Sequence, residues 1–234
     1  MKHINEFSKQ ADTYEANSSI QKEVSRHLLS KITCKARKIL DLGCGTGDIY
    51  KNILWDYDKF VGVDCAKGMC EKHPISTKIE ILNVDFESDI FRQKIEKLAP
   101  FDLAISSSAL QWAKDIESVI EYISKISNNI AFSIFTDKTF KDVYNVSGLK
   151  TFLPNAQELI ELVKKEFFVD YEVKTYRLFF EDNISKFRYI KKSGVSGGEK
   201  KLSLQQTKKL IATYPHKYLE FEVLYLISKI NTNK

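Results

Sequence analysis

Cysteine is sparse in this 234-residue chain, and the four that occur, Cys34, Cys44, Cys65 and Cys70, form no CxxC pair. A disulfide framework or a zinc knuckle is therefore not what organises the fold. Cys65, Cys70 and His73 stand near one another in sequence without a fourth ligand, so no metal is expected and the thiols read as reduced. Long apolar runs are missing too. No stretch approaches bilayer-spanning length, and Met1-Lys2-His3-Ile4-Asn5-Glu6-Phe7 has no apolar signal core, so a cytoplasmic protein with no membrane role is expected. What is present is ordinary globular composition, 43% hydrophobic and 29% charged, in a length that suits one domain over 1–234 with an insertion.

The stretch Lys38-Ile39-Leu40-Asp41-Leu42-Gly43-Cys44-Gly45-Thr46-Gly47 organises the rest. An apolar run ends on an acidic residue, glycine follows at every second position, and Asp48-Ile49-Tyr50-Lys51 resumes with helical spacing. The pattern predicts a buried strand, a glycine loop and a helix N-terminus, where a ligand can lie directly against backbone N–H groups. A dinucleotide fingerprint is G-x-G-x-x-G; here it is G-x-G-x-G, with Asp41 two positions before the first glycine. This version resembles motif I of the class I S-adenosylmethionine-dependent methyltransferases. The resemblance implies that Asp41, Gly43, Cys44, Gly45 and Gly47 lie along the cofactor's methionine end.

Apolar runs at 39–42, 60–63, 79–84, 101–106 and 130–135 alternate with helical patterns at 48–56, 66–72, 89–97 and 116–126. That rhythm predicts an α/β fold, a parallel doubly wound sheet with ligand at the strands' C-terminal ends. Asp64 follows the second run at the distance where a carboxylate holds ribose hydroxyls. Cys65 adjoins it, and Met69, one helical turn on, is placed to pack on adenine or in the core. Asp85-Phe86 after the third run resembles the methyltransferase adenine site. Acids at three successive strand ends point to S-adenosylmethionine as cofactor rather than NAD. After the fourth run come Ser106-Ser107-Ser108-Ala109-Leu110-Gln111-Trp112. There is no proline, so the Asn/Asp-Pro-Pro-aromatic motif for base amines is missing and no nucleic-acid substrate is expected. No acidic residue precedes Asp115, which disfavours arginine methylation.

The Ala109-Leu110-Gln111-Trp112 loop resembles a narrower family, the malonyl-acyl carrier protein O-methyltransferases of biotin synthesis. Phe7…Ala11…Tyr14…Gln21 is similar to that family's opening segment. Phe132-Ser133-Ile134-Phe135-Thr136 with Thr139-Phe140-Lys141-Asp142, and Phe187-Arg188-Tyr189-Ile190-Lys191-Lys192-Ser193-Gly194-Val195, resemble later parts. Departures are Ser127-Asn128-Asn129 in place of Pro-Gly-Gly, and Ser107 where asparagine is common. The resemblance implies a Rossmann-like sheet of mostly parallel strands, an antiparallel C-terminal edge hairpin, and a helical insertion after the fifth strand. It implies cofactor contacts from Tyr14, Gln21, Asp64, Cys65, Met69, Asp85, Phe86 and Ser106. Tyr14, Gln111, Trp112, Arg188 and Lys191 are the implied substrate-pocket residues, with Arg188 ahead of Lys191 as holder of the malonyl carboxylate.

Residues 1–34 read as a helical lid, with one helix after Asn17-Ser18-Ser19 capped by a serine, and 137–167 plus 183–213 as helices roofing the substrate. Strands are expected at 169–180 and 218–230. Nine cations, Lys186, Arg188, Lys191, Lys192, Lys200, Lys201, Lys208, Lys209 and Lys217, face Glu199 alone between positions 186 and 217. Such a run is either a solvated face or a rim for an acidic partner, and acyl carrier proteins are acidic as a class. No general base is evident near the strand ends. A carboxylate nucleophile, already ionised at neutral pH, needs none. The alternatives are a small-molecule O- or N-methyltransferase and a non-catalytic cofactor-binding domain.

Overall fold

The computed structural model describes residues 18–192 and 203–229. Tyr14, the 194–198 glycine turn, Lys200, Lys201 and the opening half of the expected lid lie outside them, as do the side chains of Lys191 and Lys192. The elements in chain order are α1 (Ser19–Lys31), β1 (Lys38–Leu42), α2 (Asp48–Asn52), β2 (Lys59–Asp64), α3 (Lys67–Cys70), β3 (Ile79–Asn83), α4 (Asp89–Glu96), β4 (Leu103–Ser107), α5 (Ile116–Ile126), β5 (Ile130–Phe135), α6 (Lys141–Ser147), α7 (Ala156–Glu166), β6 (Val169–Phe179), α8 (Asn183–Lys192), α9 (Leu204–Thr213) and β7 (Tyr218–Ser228). A short 3₁₀ turn, Leu110–Trp112, follows β4.

One seven-stranded sheet runs in the order β3-β2-β1-β4-β5-β7-β6. The first five strands are parallel, and β7 is antiparallel to both β5 and β6. This is the doubly wound sheet that the sequence pattern predicts, with the antiparallel edge pair that the family resemblance implies. The reversal of strand direction of travel at β1 and β4 opens a crevice at their C-terminal ends. β5 is buried along its whole length because helices cover both faces there, so its side chains need no polar alternation.

The sheet separates two apolar layers. One packs Phe91, Ile95, Val119, Ile123, Leu159 and Val163 against Leu40, Phe132 and Leu226; the other packs Ile20, Val24, Leu28 and Ile190 against Ile105, Phe135 and Phe221. Within the segment expected as a roof, helix α7 packs Leu159, Ile160 and Val163 onto the sheet face beside α5. Two local expectations also shift. Helix α2 ends four residues early, because Asn52 bonds back to the Asp48 carbonyl (2.7 Å) and Ile53 turns extended, which lets the Trp55 indole reach the Ala36 carbonyl at 3.0 Å. Ser18 stands at the N-cap of α1, yet its side chain makes no capping bond. Among the described residues no helix is long and apolar enough to cross a membrane.

Candidate active site

The glycine loop leaves β1 and folds back on β2, where the Gly43 and Cys44 amides both donate to the Val63 carbonyl at 2.7 and 3.0 Å. All three glycines have positive φ, and their surroundings differ. A Cβ on Gly43 would meet the Ala109 Cβ at 2.2 Å, so Gly43 is what allows the loop after β4 to lie directly across it. A Cβ on Gly45 would meet nothing within 4 Å. Gly43 thus serves packing between loops, and Gly45 faces open space that a ligand can fill.

Asp64 ends β2 and clasps this loop. Its Oδ2 accepts the Gly45 N–H at 2.9 Å and its Oδ1 the Ala66 N–H at 2.7 Å. Burial raises its pKa, and those two backbone donors oppose the rise. The residue expected to bind ribose therefore also fixes the shape of the glycine loop.

Asp41 is only 1% exposed. Neither of its carboxylate oxygens has a hydrogen-bond partner among the described residues. Burial first, then Asp64 and Asp48, push its pKa well above the usual carboxylate range. A buried carboxyl left so costs on the order of 1–3 kcal/mol or more until a donor reaches it. An ammonium laid along the glycine loop meets that demand, so the residues present fit the amino-acid end of S-adenosylmethionine.

The other implied cofactor residues divide. Asp85 is half-buried after β3, its Oδ1 accepting the Glu87 N–H at 3.0 Å, with Phe86 beside it. Gln21, on the first turns of α1, has a buried Oε1 without a partner among the described residues. Three side chains turn away from where they were expected. Cys44 is buried, and its thiol occupies the space above Gly62, where a Cβ would meet Sγ at 2.9 Å. The thiol also lies 3.9 Å from the Gly45 carbonyl, and burial raises its pKa strongly. Met69 is a buried core side chain. Ser106 is fully buried too, its hydroxyl donating to the Leu42 carbonyl at 2.7 Å and tying β4 to the end of β1. Cys65 stays half-buried beside Asp64, its pKa pushed by burial to about 12, so it is not a ready nucleophile.

Beyond β4 the chain bends through Ser108, a non-glycine residue at φ 59°, held by its N–H on the Ser133 carbonyl at 2.8 Å. Gln111 folds back so that Nε2 donates to the Ser108 carbonyl at 2.7 Å, leaving a buried Oε1 without a partner among the described residues. Trp112 stacks on Phe152 (5.3 Å between centroids, 27° between planes), which joins the β4 loop to the segment before α7. Phe152 was not foreseen; nothing in its local sequence marks it, since the contact depends on how the insertion packs. Asp137, just after β5, was also missed, although its place at a strand end could have suggested it. Its Oδ2 accepts the Asn155 amide at 3.0 Å, while Oδ1 is buried without a partner among the described residues.

The substrate cations fare unevenly. Arg188 is exposed on α8; Asp182 nearby is held below its ordinary pKa first by the Ser185 N–H it accepts, and only in small part by Arg188. Lys186, counted above among the rim cations, is 1% exposed. Its Nζ donates to Asn183 Oδ1 at 2.8 Å and to the His216 carbonyl, and lies 4.5 Å from the centre of the Tyr214 ring. It ties α8 to the turn before β7 and belongs to no rim.

A mostly parallel sheet with this strand order, a glycine loop after β1 and acids at the C-terminal ends of β1, β2 and β3 are the features of the class I, Rossmann-like methyltransferase fold. Residues 39–129 match the methyltransferase domain family. The family works with S-adenosylmethionine, for which the loop and Asp41 are suited. The malonyl-acyl carrier protein O-methyltransferase of Anoxybacillus flavithermus is 32% identical over 146 residues, covering 59% of this chain and 54% of that protein. The one from Calditerrivibrio nitroreducens is 24% identical over 240 residues, covering 93% of this chain and 88% of that protein. The chain spans about half the length of the relatives it matches at 30–32% identity. In fold it is similar to a SAM-dependent methyltransferase from Thermotoga maritima, with a TM-score of 0.57 and 16% identity, covering 98% of this chain and all of that one.

Proposed function

We propose that this protein transfers the methyl group of S-adenosylmethionine to the free carboxylate of a malonyl group carried on acyl carrier protein, forming the methyl ester used in biotin (pimeloyl) synthesis. The similarity to relatives of that name at 24–32% identity carries the reading. Bound cofactor supplies an electrophilic methyl on a sulfonium. The protein's part is to align and to exclude water. Asp41 and the glycine loop fix the methionine end, Asp64 and Asp85 the ribose and base, and the Gly43–Ala109 contact sets the acceptor loop directly against the cofactor loop. Alignment of this kind can contribute about 7–11 kcal/mol.

The acceptor loop offers serines, an amide and an indole, and no histidine, aspartate or glutamate between Ser106 and Lys114. A carboxylate acceptor requires none, because it attacks already ionised. With cofactor bound, the acceptor's negative charge and the sulfonium's positive charge would cancel on transfer, and Trp112 and Phe152, stacked beside the acceptor loop, would favour this by displacing water there. Arg188 holds the malonyl carboxylate at the mouth, with Lys191 in support. Tyr14 and the residues of α1 form the lid, and α6, α8 and α9 the cap.

A second reading is a small-molecule O- or N-methyltransferase. The buried free acceptors Gln111 Oε1 and Asp137 Oδ1 would suit an acceptor molecule bearing N–H or O–H groups. Incubation with methyl-labelled cofactor against malonyl carrier protein, malonyl-CoA, free malonate and simple amines separates the two. Label recovered as a base-labile ester on malonyl carrier protein supports the first, and label on nitrogen overturns it.

A further inference from the structure

Strand β6 closes the sheet at one edge, and three features set it apart. It runs eleven residues, with unbroken register against β7 and no proline or bulge. Natural edge strands are usually short, bulged or interrupted, because a long regular edge is a template for pairing. Among the described residues, its outer backbone groups have no partner strand. Its odd-numbered face is bare beyond Val169, with Tyr171 50%, Val173 44% and Phe179 68% exposed, and Phe168 just ahead of it is 73% exposed. Helix α7 covers only the start of this face.

The charge order along the strand is antisymmetric. Acids, Asp170 and Glu172, precede Val173; bases, Lys174 and Arg177, follow it. Two copies of such a strand placed antiparallel about a two-fold axis at Val173 set each Glu172 opposite the other copy's Lys174, and Val173 opposite itself. Moving the axis by one residue sets Glu172 against Glu172 or Lys174 against Lys174. An independent feature selects the same register. A concavity of about 590 Å³ opens at the foot of the strand, lined by residues that include Phe167, Phe168 and Tyr171. Pairing centred on Val173 brings the projecting Phe179 of the second copy level with position 167, at that concavity. Both the charges and the shape are self-complementary, which is what a two-fold interface requires.

We propose that β6 is a homodimer interface, pairing antiparallel with β6 of a second copy in the register centred on Val173 to continue the sheet across two chains. The test is sedimentation velocity on the whole chain, with circular dichroism on each variant to confirm the fold. Wild type should dimerise. Glu172→Lys and Lys174→Glu should each weaken self-association about tenfold, because each sets like charges opposite one another twice. A mixture of the two variants should recover the dimer, since both cross-strand pairs are then opposite in sign. Phe179→Ala should weaken association without lowering the melting temperature of the monomer. A monomeric wild type overturns the proposal. So does a dimer that neither charge variant weakens, or a mixture that associates no better than the separate variants. If Glu172→Lys misfolds through loss of its contacts with Lys31 and His27, Val173→Lys on the axis replaces it, and unchanged dimerisation by that variant is equally fatal.

Discussion

Replacing Asp41 by asparagine should make the protein more stable alone and worse at holding its cofactor. The carboxyl is buried with both oxygens unpartnered. A buried charge without its partner destabilises by about 3–5 kcal/mol, whereas a neutral amide in the same place leaves polar atoms unmet at about 1–3 kcal/mol. The difference, about 2 kcal/mol in favour of Asp41→Asn, corresponds to a melting temperature higher by about 4–8 °C for a chain of this size. The sign of the pH dependence follows from the raised pKa. Folded Asp41 holds its proton more tightly than unfolded Asp41, so the cofactor-free protein loses stability as pH climbs from the ordinary carboxylate range to the raised value. The variant should lack that decline. Cofactor binding reverses the preference, because an ammonium favours the ionised carboxyl. Wild type should then release a proton on binding, visible in calorimetry as a heat that depends on the buffer's ionisation enthalpy. Loss of a charge-assisted bond should weaken the variant's affinity about tenfold to a hundredfold. An asparagine variant that melts no higher than wild type without ligand, or binds the cofactor equally well, would refute the assignment of Asp41.

The two neighbouring glycines should separate packing from binding. Gly43→Ala drives a methyl into Ala109 at positive φ and should lose about 2–4 kcal/mol of stability in thermal melts. Gly45→Ala should lose only about 1 kcal/mol, from its φ, while cofactor affinity in calorimetry falls sharply. Lys186→Met should destabilise by about 2–3 kcal/mol through the unmet Asn183 and His216 acceptors, with the KM for carrier protein unchanged. Burial lowers the Lys186 pKa, so wild-type stability should improve on the alkaline side as the lysine sheds its proton, and the variant should not show that gain. Arg188→Ala should raise KM for malonyl carrier protein about tenfold, and the Lys208→Glu, Lys209→Glu double variant should remove the fall in turnover with added salt, both read in steady-state assays.

The sheet and the glycine loop were legible in the sequence because both are written locally. A parallel strand buried on two faces is a short apolar run, and G-x-G-x-G after such a run has few other uses. The acids at successive strand ends were legible for the same reason. What could not be read was direction. Ser106 and Cys44 stand in the right loops but turn inward, and whether a side chain at a strand end faces the crevice or the neighbouring strand depends on the exact bend. Lys186 misled because a lysine in a basic run looks solvated. Its spacing from buried Ile190, four residues on, places it on the inner face of α8, a signal that was present and outweighed by charge. The stack of Trp112 on Phe152 joins segments with no sequence relation at all.

The position of β7 bears on how the chain comes to be folded during synthesis. The last of the described strands does not close the sheet from outside; it is inserted between β5 and β6. Until residues 218–228 leave the ribosome, β5 has a bare edge flanked by side chains destined for complete burial, and β6 has no strand to join. The cofactor half, β1 to β4, can assemble much earlier, because its strands pair only with one another and with β5. A chain stopped before Tyr218 would therefore hold a nearly finished binding loop beside an open apolar edge, a species prone to pair with its own kind. The site is built early, and the means of keeping it apart from other chains arrives last.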